Sequence, residues 1–215
     1  MTARWPHVLF DLDGTLANTI PMILASYRWT IEHFGLEPAD DATIQSWIGR
    51  TLIDIFTELA GPERAPDLVT AYRGWQYEHF EELIRPYPGV LEVVHDLAGA
   101  GVGMAVVTSR YRESAEWALR VLGFDEHLHV SVGLEDSTRH KPHPEPLLTA
   151  CKTLGFDPAA AVYVGDATVD LLAAVDAGMD GVAVTWGAGL ADDLRALPNA
   201  AVVDTAEQLS AVLLG

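Results

Sequence analysis

The sequence predicts an α/β protein: a parallel sheet covered by helices, with a separate all-helical segment inserted after the first strand. Three observations predict it. Six short apolar runs, His7–Phe10, 102–107, 129–132, 161–164, 181–185 and Ala201–Val203, are nearly continuous rather than alternating, as strands covered on both faces should be. Segments with apolar residues three and four apart lie between most of these runs, which is the pattern of βαβ units. One long stretch, 19–85, carries helical periodicity and no convincing strand.

Taken in order, the first run leads straight into Asp11-Leu12-Asp13-Gly14-Thr15. The helical stretch follows. Leu68, Tyr72, Trp75, His79 and Leu83 mark one helix face within it, and Gly61-Pro62 separates two helices. Pro86-Tyr87-Pro88-Gly89 punctuates the return to the alternating pattern. Gly99-x-Gly101-x-Gly103 resembles part of a dinucleotide fingerprint, but it precedes a strand, so it reads as a helix-to-strand turn. The next strand ends in Thr108-Ser109-Arg110, and helical patterns at 115–122, 147–154 and 171–177 alternate with the remaining strands. Gly187-x-Gly189 is a loop near the edge of any site built there, and 200–215 closes the chain as strand and helix. The expected division is a core of residues 1–17 and 86–215 with an insertion of residues 18–85.

Composition narrows the function. The chain has 215 residues, 13 Lys plus Arg and 31 Asp plus Glu, for a net charge of −18. A chain of this length buries roughly 70% of its unfolded surface. The acidic balance argues against a nucleic-acid partner, which needs clustered cations. No apolar run reaches the roughly 18 residues of a membrane span, and the first residues lack a secretory pattern, so the expectation is a cytoplasmic protein without a membrane partner. One cysteine, Cys151, excludes an internal disulfide framework and a cysteine-cluster metal site; it reads as a packed, inert residue. Whether the chain is a monomer or a homodimer is left open by the sequence.

Three strand candidates end in chemistry-bearing residues. Asp11 and Asp13 follow the first, Thr108 the second, and Gly165-Asp166 the third, with Asp170 four residues on. Ligands of an open parallel sheet bind outside the carboxyl ends of its strands, so these residues converge on one edge. Lys141, one of only two lysines, lies in the rigid run His140-Lys141-Pro142-His143-Pro144-Glu145-Pro146. Two like charges about 4 Å apart cost roughly 4 kcal/mol at an effective dielectric near 20. A divalent cation removes that conflict, and an all-oxygen donor set suits a hard ion such as Mg²⁺. Thr108 and Lys141 then suit phosphate oxygens, one by hydrogen bond and one by charge. The cluster reads as a phosphoryl-transfer site that supplies local positive charge against an acidic background.

Asp11-Leu12-Asp13-Gly14-Thr15-Leu16 resembles the first motif of the haloacid dehalogenase superfamily. Thr108, Lys141 and Gly165-Asp166-x-x-x-Asp170 stand in order where its other three motifs belong, so the resemblance covers nearly the whole chain. The resemblance implies a Rossmann-like core and identifies the helical insertion with the family's C1 cap, which closes over substrate. Lys141-Pro142-His143-Pro144-Glu145-Pro146 and Tyr163-Val164-Gly165-Asp166 are most similar to the phosphoglycolate phosphatase branch. By resemblance, Asp11 attacks phosphorus and becomes an aspartyl-phosphate, and Asp13 protonates the leaving group and then activates water. Thr108, Ser109 and Lys141 bind the phosphoryl group. Asp11, Asp13 (through its backbone carbonyl) and Asp166 hold Mg²⁺, and Asp170 either ligates it directly or holds a metal-bound water. Arg110 departs mildly from the lysine found there in many relatives.

The implied function is hydrolysis of a small phosphorylated metabolite, phosphoglycolate first. An acid at position 13 argues against dehalogenation, and the absence of a histidine in Thr19-Ile20-Pro21-Met22-Ile23 argues against a mutase. A phosphomutase or pyrophosphatase on the same scaffold is the alternative, and a non-catalytic ligand-binding member is the rival from another class. Blander roles exist for the same residues: Thr108 or Asp166 as helix N-caps, and His140 and His143 as loop residues rather than zinc ligands. In Trp47-Ile48-Gly49-Arg50 of the insertion, Gly49 breaks a helix and Arg50 is a candidate contact for an anionic substrate group.

Overall fold

The structure is a computed structural model, and it describes residues 3–48 and 50–215. The chain divides into two compact units, one of residues 1–18 and 85–215 and the other of Thr19–Ile84.

The first unit is built on six strands: β1 (His7–Phe10), β4 (Gly103–Val107), β5 (Val130–Val132), β6 (Ala161–Gly165), β7 (Asp180–Val184) and β8 (Ala201–Val203). All pair in parallel, in the order β5-β4-β1-β6-β7-β8. The sheet therefore grows from β1 toward β4 and β5, then reverses to add β6, β7 and β8 on the other side. Its reversal point lies beside β1, the place where ligands sit in such sheets. Register ties the three central strands together: Leu9 lies opposite Ala105 and Tyr163, and Phe10 opposite Val106 and Val164. Their carboxyl ends are thus level, which brings the residues after Phe10, Val107 and Gly165 to one edge.

Helices α5 (Val90–Gly99), α6 (Arg112–Leu122), α7 (Glu145–Leu154), α8 (Thr168–Ala177), α9 (Ala191–Ala196) and α10 (Ala206–Leu214) accompany the strands. The packing around α7 and α8 shows why the pattern folds this way. Leu147, Ala150 and Cys151 of α7 join Ala173, Ala174 and Ala177 of α8 against Leu9, Ala105, Val107 and Tyr163 of the sheet. Small alanines let the helices lie close to bulky strand residues, and one truncated leucine in such a core costs about 2–5 kcal/mol. Burial raises the Cys151 thiol to about 11, which keeps it protonated and unreactive. A two-residue antiparallel pair, β2 (Ala17–Asn18) and β3 (Arg85–Pro86), stands at both junctions with the helical segment. Sequence periodicity gives no sign of it, because two residues are too few to show alternation.

The second unit holds α1 (Ile20–His33), α2 (Asp41–Ser46), α3 (Leu52–Ala60) and α4 (Ala65–Leu83). Its ends are marked chemically. The Asp40 side chain accepts from the Thr43 N–H, and that of Thr51 from the Asp54 N–H. Gly61, at φ +84°, stops α3. Tyr27, Ile44, Ile55, Phe56, Leu68 and Tyr72 form its core. Of the expected α4 stripe, Leu68 and Tyr72 are buried, whereas Trp75 and His79 are half-buried and stack on each other with ring centroids 4.2 Å apart. Strand ends also differ by one residue from expectation at β4, β5, β6 and β7.

Candidate active site

Asp11 is the first residue beyond β1, and its N–H donates to the Val164 carbonyl at 2.9 Å, so the backbone stays locked to β6. Lys141 reaches it from the proline-bound loop. The ammonium lies 2.9 Å from Asp11 Oδ1 and 2.7 Å from Asp170 Oδ1, and it donates to the Tyr163 hydroxyl at 2.9 Å. That hydroxyl in turn donates to the Val107 carbonyl at 2.8 Å. The three protons of the ammonium thus have three acceptors, and the side chain is 5% exposed. The loop holds its shape through local bonds: Glu145 accepts from the Thr138 N–H, and His143 Nδ1 accepts from the Glu145 N–H. His143 is therefore occupied in shaping the loop.

Asp166 directly follows β6, and Asp170 lies in the first turn of α8. Asp170 does two things at once: Oδ1 meets Lys141, while Oδ2 accepts the Ala167 N–H at the start of α8 at 3.0 Å. Asp166 accepts from the Ala188 N–H at 2.7 Å and from the Thr15 hydroxyl at 3.3 Å. The N-cap of α8 is Ala167, so Asp166 is not that cap. Two glycines are required by the position of its carboxylate. A Cβ on Gly14, whose φ is +83°, would lie 2.2 Å from Asp166 Oδ2, and a Cβ on Gly187 would meet the same atom at 2.2 Å. The Gly187 loop is therefore shaped around a carboxylate.

One oxygen each of Asp11, Asp166 and Asp170 lies within 4.8 Å of the others, and all three residues are buried. The electrostatics follow from that crowding. Burial, and then the Asp170 charge against the relief from Lys141, raises the Asp11 carboxyl to about 7. Burial raises Asp166 well above the usual carboxylate range, and Asp170 and Asp11 add to the rise. Burial pulls the Lys141 ammonium down, but Asp11 and Asp170 outweigh it, so its pKa is raised and it stays charged. One cation faces three carboxylates. The donor set is oxygen only and carries surplus negative charge, which fits a hard divalent ion such as Mg²⁺.

Thr108 directly follows β4, is 4% exposed, and holds its place by donating its N–H to the Val132 carbonyl. Its hydroxyl oxygen accepts the Arg110 N–H at 3.1 Å. The cap of α6 is Tyr111, so Thr108 does not cap that helix. Asp13 is not one of the three grouped carboxylates, although its charge adds to the rise of Asp11. Asp13 Oδ1 and Oδ2 accept from Arg110 Nη2 at 2.7 Å and Nε at 3.1 Å. Ser109 is exposed. Arg50 is exposed in the helical unit, where its guanidinium pairs with Glu58, and Gly49 lies outside the described residues.

Sequence reasoning thus gathers Asp11, Asp166, Asp170, Lys141 and Thr108 at one sheet edge, and the structure brings them there. It misses Tyr163 as the third acceptor of Lys141, Thr15 as a donor to Asp166, and Arg110 as the partner of Asp13. A tyrosine in a strand covered on both faces was the available signal for the first, because a buried hydroxyl needs a partner.

Comparison with known proteins agrees with this geometry. The family described as haloacid dehalogenase-like hydrolase matches residues 8–184. A protein named pyrophosphatase PpaX from Halalkalibacterium halodurans is 40% identical over 174 residues, 80% of each chain. Its namesake from Bacillus mycoides is 35% identical over 179 residues, 83% of each chain. Among solved structures, a chain from Bacteroides fragilis assigned as a haloacid dehalogenase-like hydrolase superposes with a TM-score of 0.89 at 30% identity, over 95% of this chain and 99% of that one. A predicted phosphoglycolate phosphatase from Haemophilus somnus superposes with a TM-score of 0.85 at 25% identity, over 97% and 98% of the two chains.

Proposed function

This chain belongs to the haloacid dehalogenase-like hydrolases, and from that premise we propose that it is a Mg²⁺-dependent phosphatase acting on a small phosphorylated metabolite through an aspartyl-phosphate. One observation carries the reading. A buried ammonium bridges Asp11 and Asp170, and Asp166 stands within reach of both, so ionising all three carboxylates leaves negative charge that a further cation would balance.

Asp11 attacks phosphorus with a carboxylate oxygen, and the bond to the leaving oxygen breaks. Asp13 supplies the proton that the leaving oxygen takes, then removes one from the water that cleaves the acyl phosphate. The Thr108 hydroxyl accepts from Arg110, so its own proton is left to donate to a phosphoryl oxygen. Lys141 favours the ionised form of Asp11 against the effect of burial and orients it. Asp11, Asp166, Asp170 and the backbone carbonyl of Asp13 would hold Mg²⁺, which when bound neutralises charge on the phosphoryl group.

Phosphoglycolate-like monoesters are the first substrate class. Pyrophosphate is the second reading, favoured by relatives that carry the name pyrophosphatase. The test is phosphate release from a panel containing phosphoglycolate and pyrophosphate, with Mg²⁺ or with EDTA. Release from monoesters only with Mg²⁺ is expected. Faster release from pyrophosphate supports the second reading, and no release from any member refutes both.

A further inference from the structure

Arg110 holds the carboxylate of Asp13 with two parallel hydrogen bonds, from Nη2 at 2.7 Å and Nε at 3.1 Å. The two residues are 97 positions apart and lie on the segments leaving β1 and β4. Arg110 is itself pinned. Its backbone N–H donates to Thr108 Oγ1 at 3.1 Å, its carbonyl accepts from the Leu134 N–H at 2.9 Å, and Nη1 donates to Ser114 Oγ at 2.9 Å. The arginine side chain is 10% exposed and the aspartate 21%. A surface ion pair of flexible side chains would look different: neither residue would be anchored at other points.

A side-on guanidinium fixes more than distance. Its planar fork sets the plane of the carboxylate, and it uses one lone pair on each oxygen while leaving the other. We propose that Arg110 is a positioning residue that orients the Asp13 carboxyl toward the leaving oxygen, the proton it gives in the first step being carried on an oxygen lone pair that the fork leaves free. The chain Ser114–Arg110–Asp13 then aligns the proton donor with the phosphoryl site at Thr108, because Arg110 bonds to both. A lysine would supply charge without the fork. The inference rests on the role assigned to Asp13 above.

Leaving groups separate this role from a structural one. An alkoxide needs the proton as it departs, whereas a nitrophenolate leaves without it. The experiment measures kcat/KM, which reports steps up to the first departure, for para-nitrophenyl phosphate and for the alkyl monoester that the wild type turns over fastest. The variants are Arg110→Gln and Arg110→Lys, with thermal melting as the check on folding. Expected is a loss of about 100-fold for the alkyl ester with the aryl ester held within about threefold, the range over which acid–base groups act. Arg110→Lys should show the same split in smaller measure, because charge survives and the fork does not. Equal losses on both esters, or no loss on either, overturn the inference. Wild-type protein inactive on both esters overturns the proposed function itself, a distinct result.

Discussion

Replacing Lys141 with methionine keeps the length and apolar stem of the side chain and removes its charge. The consequence can be worked from the site. The ammonium touches two carboxylates at 2.9 and 2.7 Å, and each contact is worth about 6 kcal/mol at an effective dielectric near 20. Most of that attraction only offsets the cost of burying the charges. Removing one partner of such a buried cluster leaves the carboxylates without compensation, at a cost of about 3–5 kcal/mol. For a chain of this length, 1 kcal/mol moves Tm by about 2–4 °C. Lys141→Met should therefore lower Tm by about 6–20 °C at pH 8 in EDTA. The same change leaves more negative charge for a cation to neutralise, so Mg²⁺ should raise Tm further in the variant than in the wild type. Turnover should fall by about 100-fold or more, the cost of losing one charged group at a phosphoryl site. Differential scanning fluorimetry with and without Mg²⁺ reads the first two effects. An unchanged Tm in EDTA, with an equal Mg²⁺ shift in both proteins, would refute the reasoning.

Three further outcomes follow from the same geometry. The Asp11 carboxyl is raised from 3.8 to about 7, so between those values the folded chain binds a proton that the unfolded chain has released. Metal-free stability should accordingly fall as pH rises from about 4 to 7, by on the order of 4 kcal/mol from this group, and level off above; a Tm that rises across that window in EDTA contradicts it. Asp11→Asn should abolish turnover, raise the metal-free Tm at pH 8 and flatten that pH slope, and residual turnover near wild type would remove Asp11 as nucleophile. Gly187→Ala would put a methyl group 2.2 Å from Asp166 Oδ2, so it should cost about 1–3 kcal/mol and weaken Mg²⁺ dependence of activity at least tenfold; a titration matching wild type shows that the loop yields freely.

Strand order places Asp11, Thr108 and Asp166, which is why their convergence was legible before any coordinates. Each follows an apolar run, and the carboxyl ends of parallel strands share an edge. Asp170 was legible through its spacing from Asp166, four residues along a helix that begins between them. Lys141 stood out because the chain has so few lysines and because prolines surround it. What stayed hidden depends on side chains meeting across long separations. Tyr163 looks like any buried strand aromatic until its hydroxyl is found between Lys141 and the Val107 carbonyl. Arg110 registered only as a departure from a pattern, since nothing local links it to a residue 97 positions earlier. Gly187 read as an ordinary turn because the carboxylate it makes room for comes from another strand.

The account turns on Asp11 taking the phosphoryl group. The direct measurement is mass spectrometry of protein quenched in acid during turnover with Mg²⁺ and substrate, then digested. The peptide containing Asp11 should gain the mass of one phosphoryl group, and that gain should disappear in Asp11→Asn. Phosphate release with that peptide unmodified throughout turnover, or with the added mass on any other residue, would contradict it.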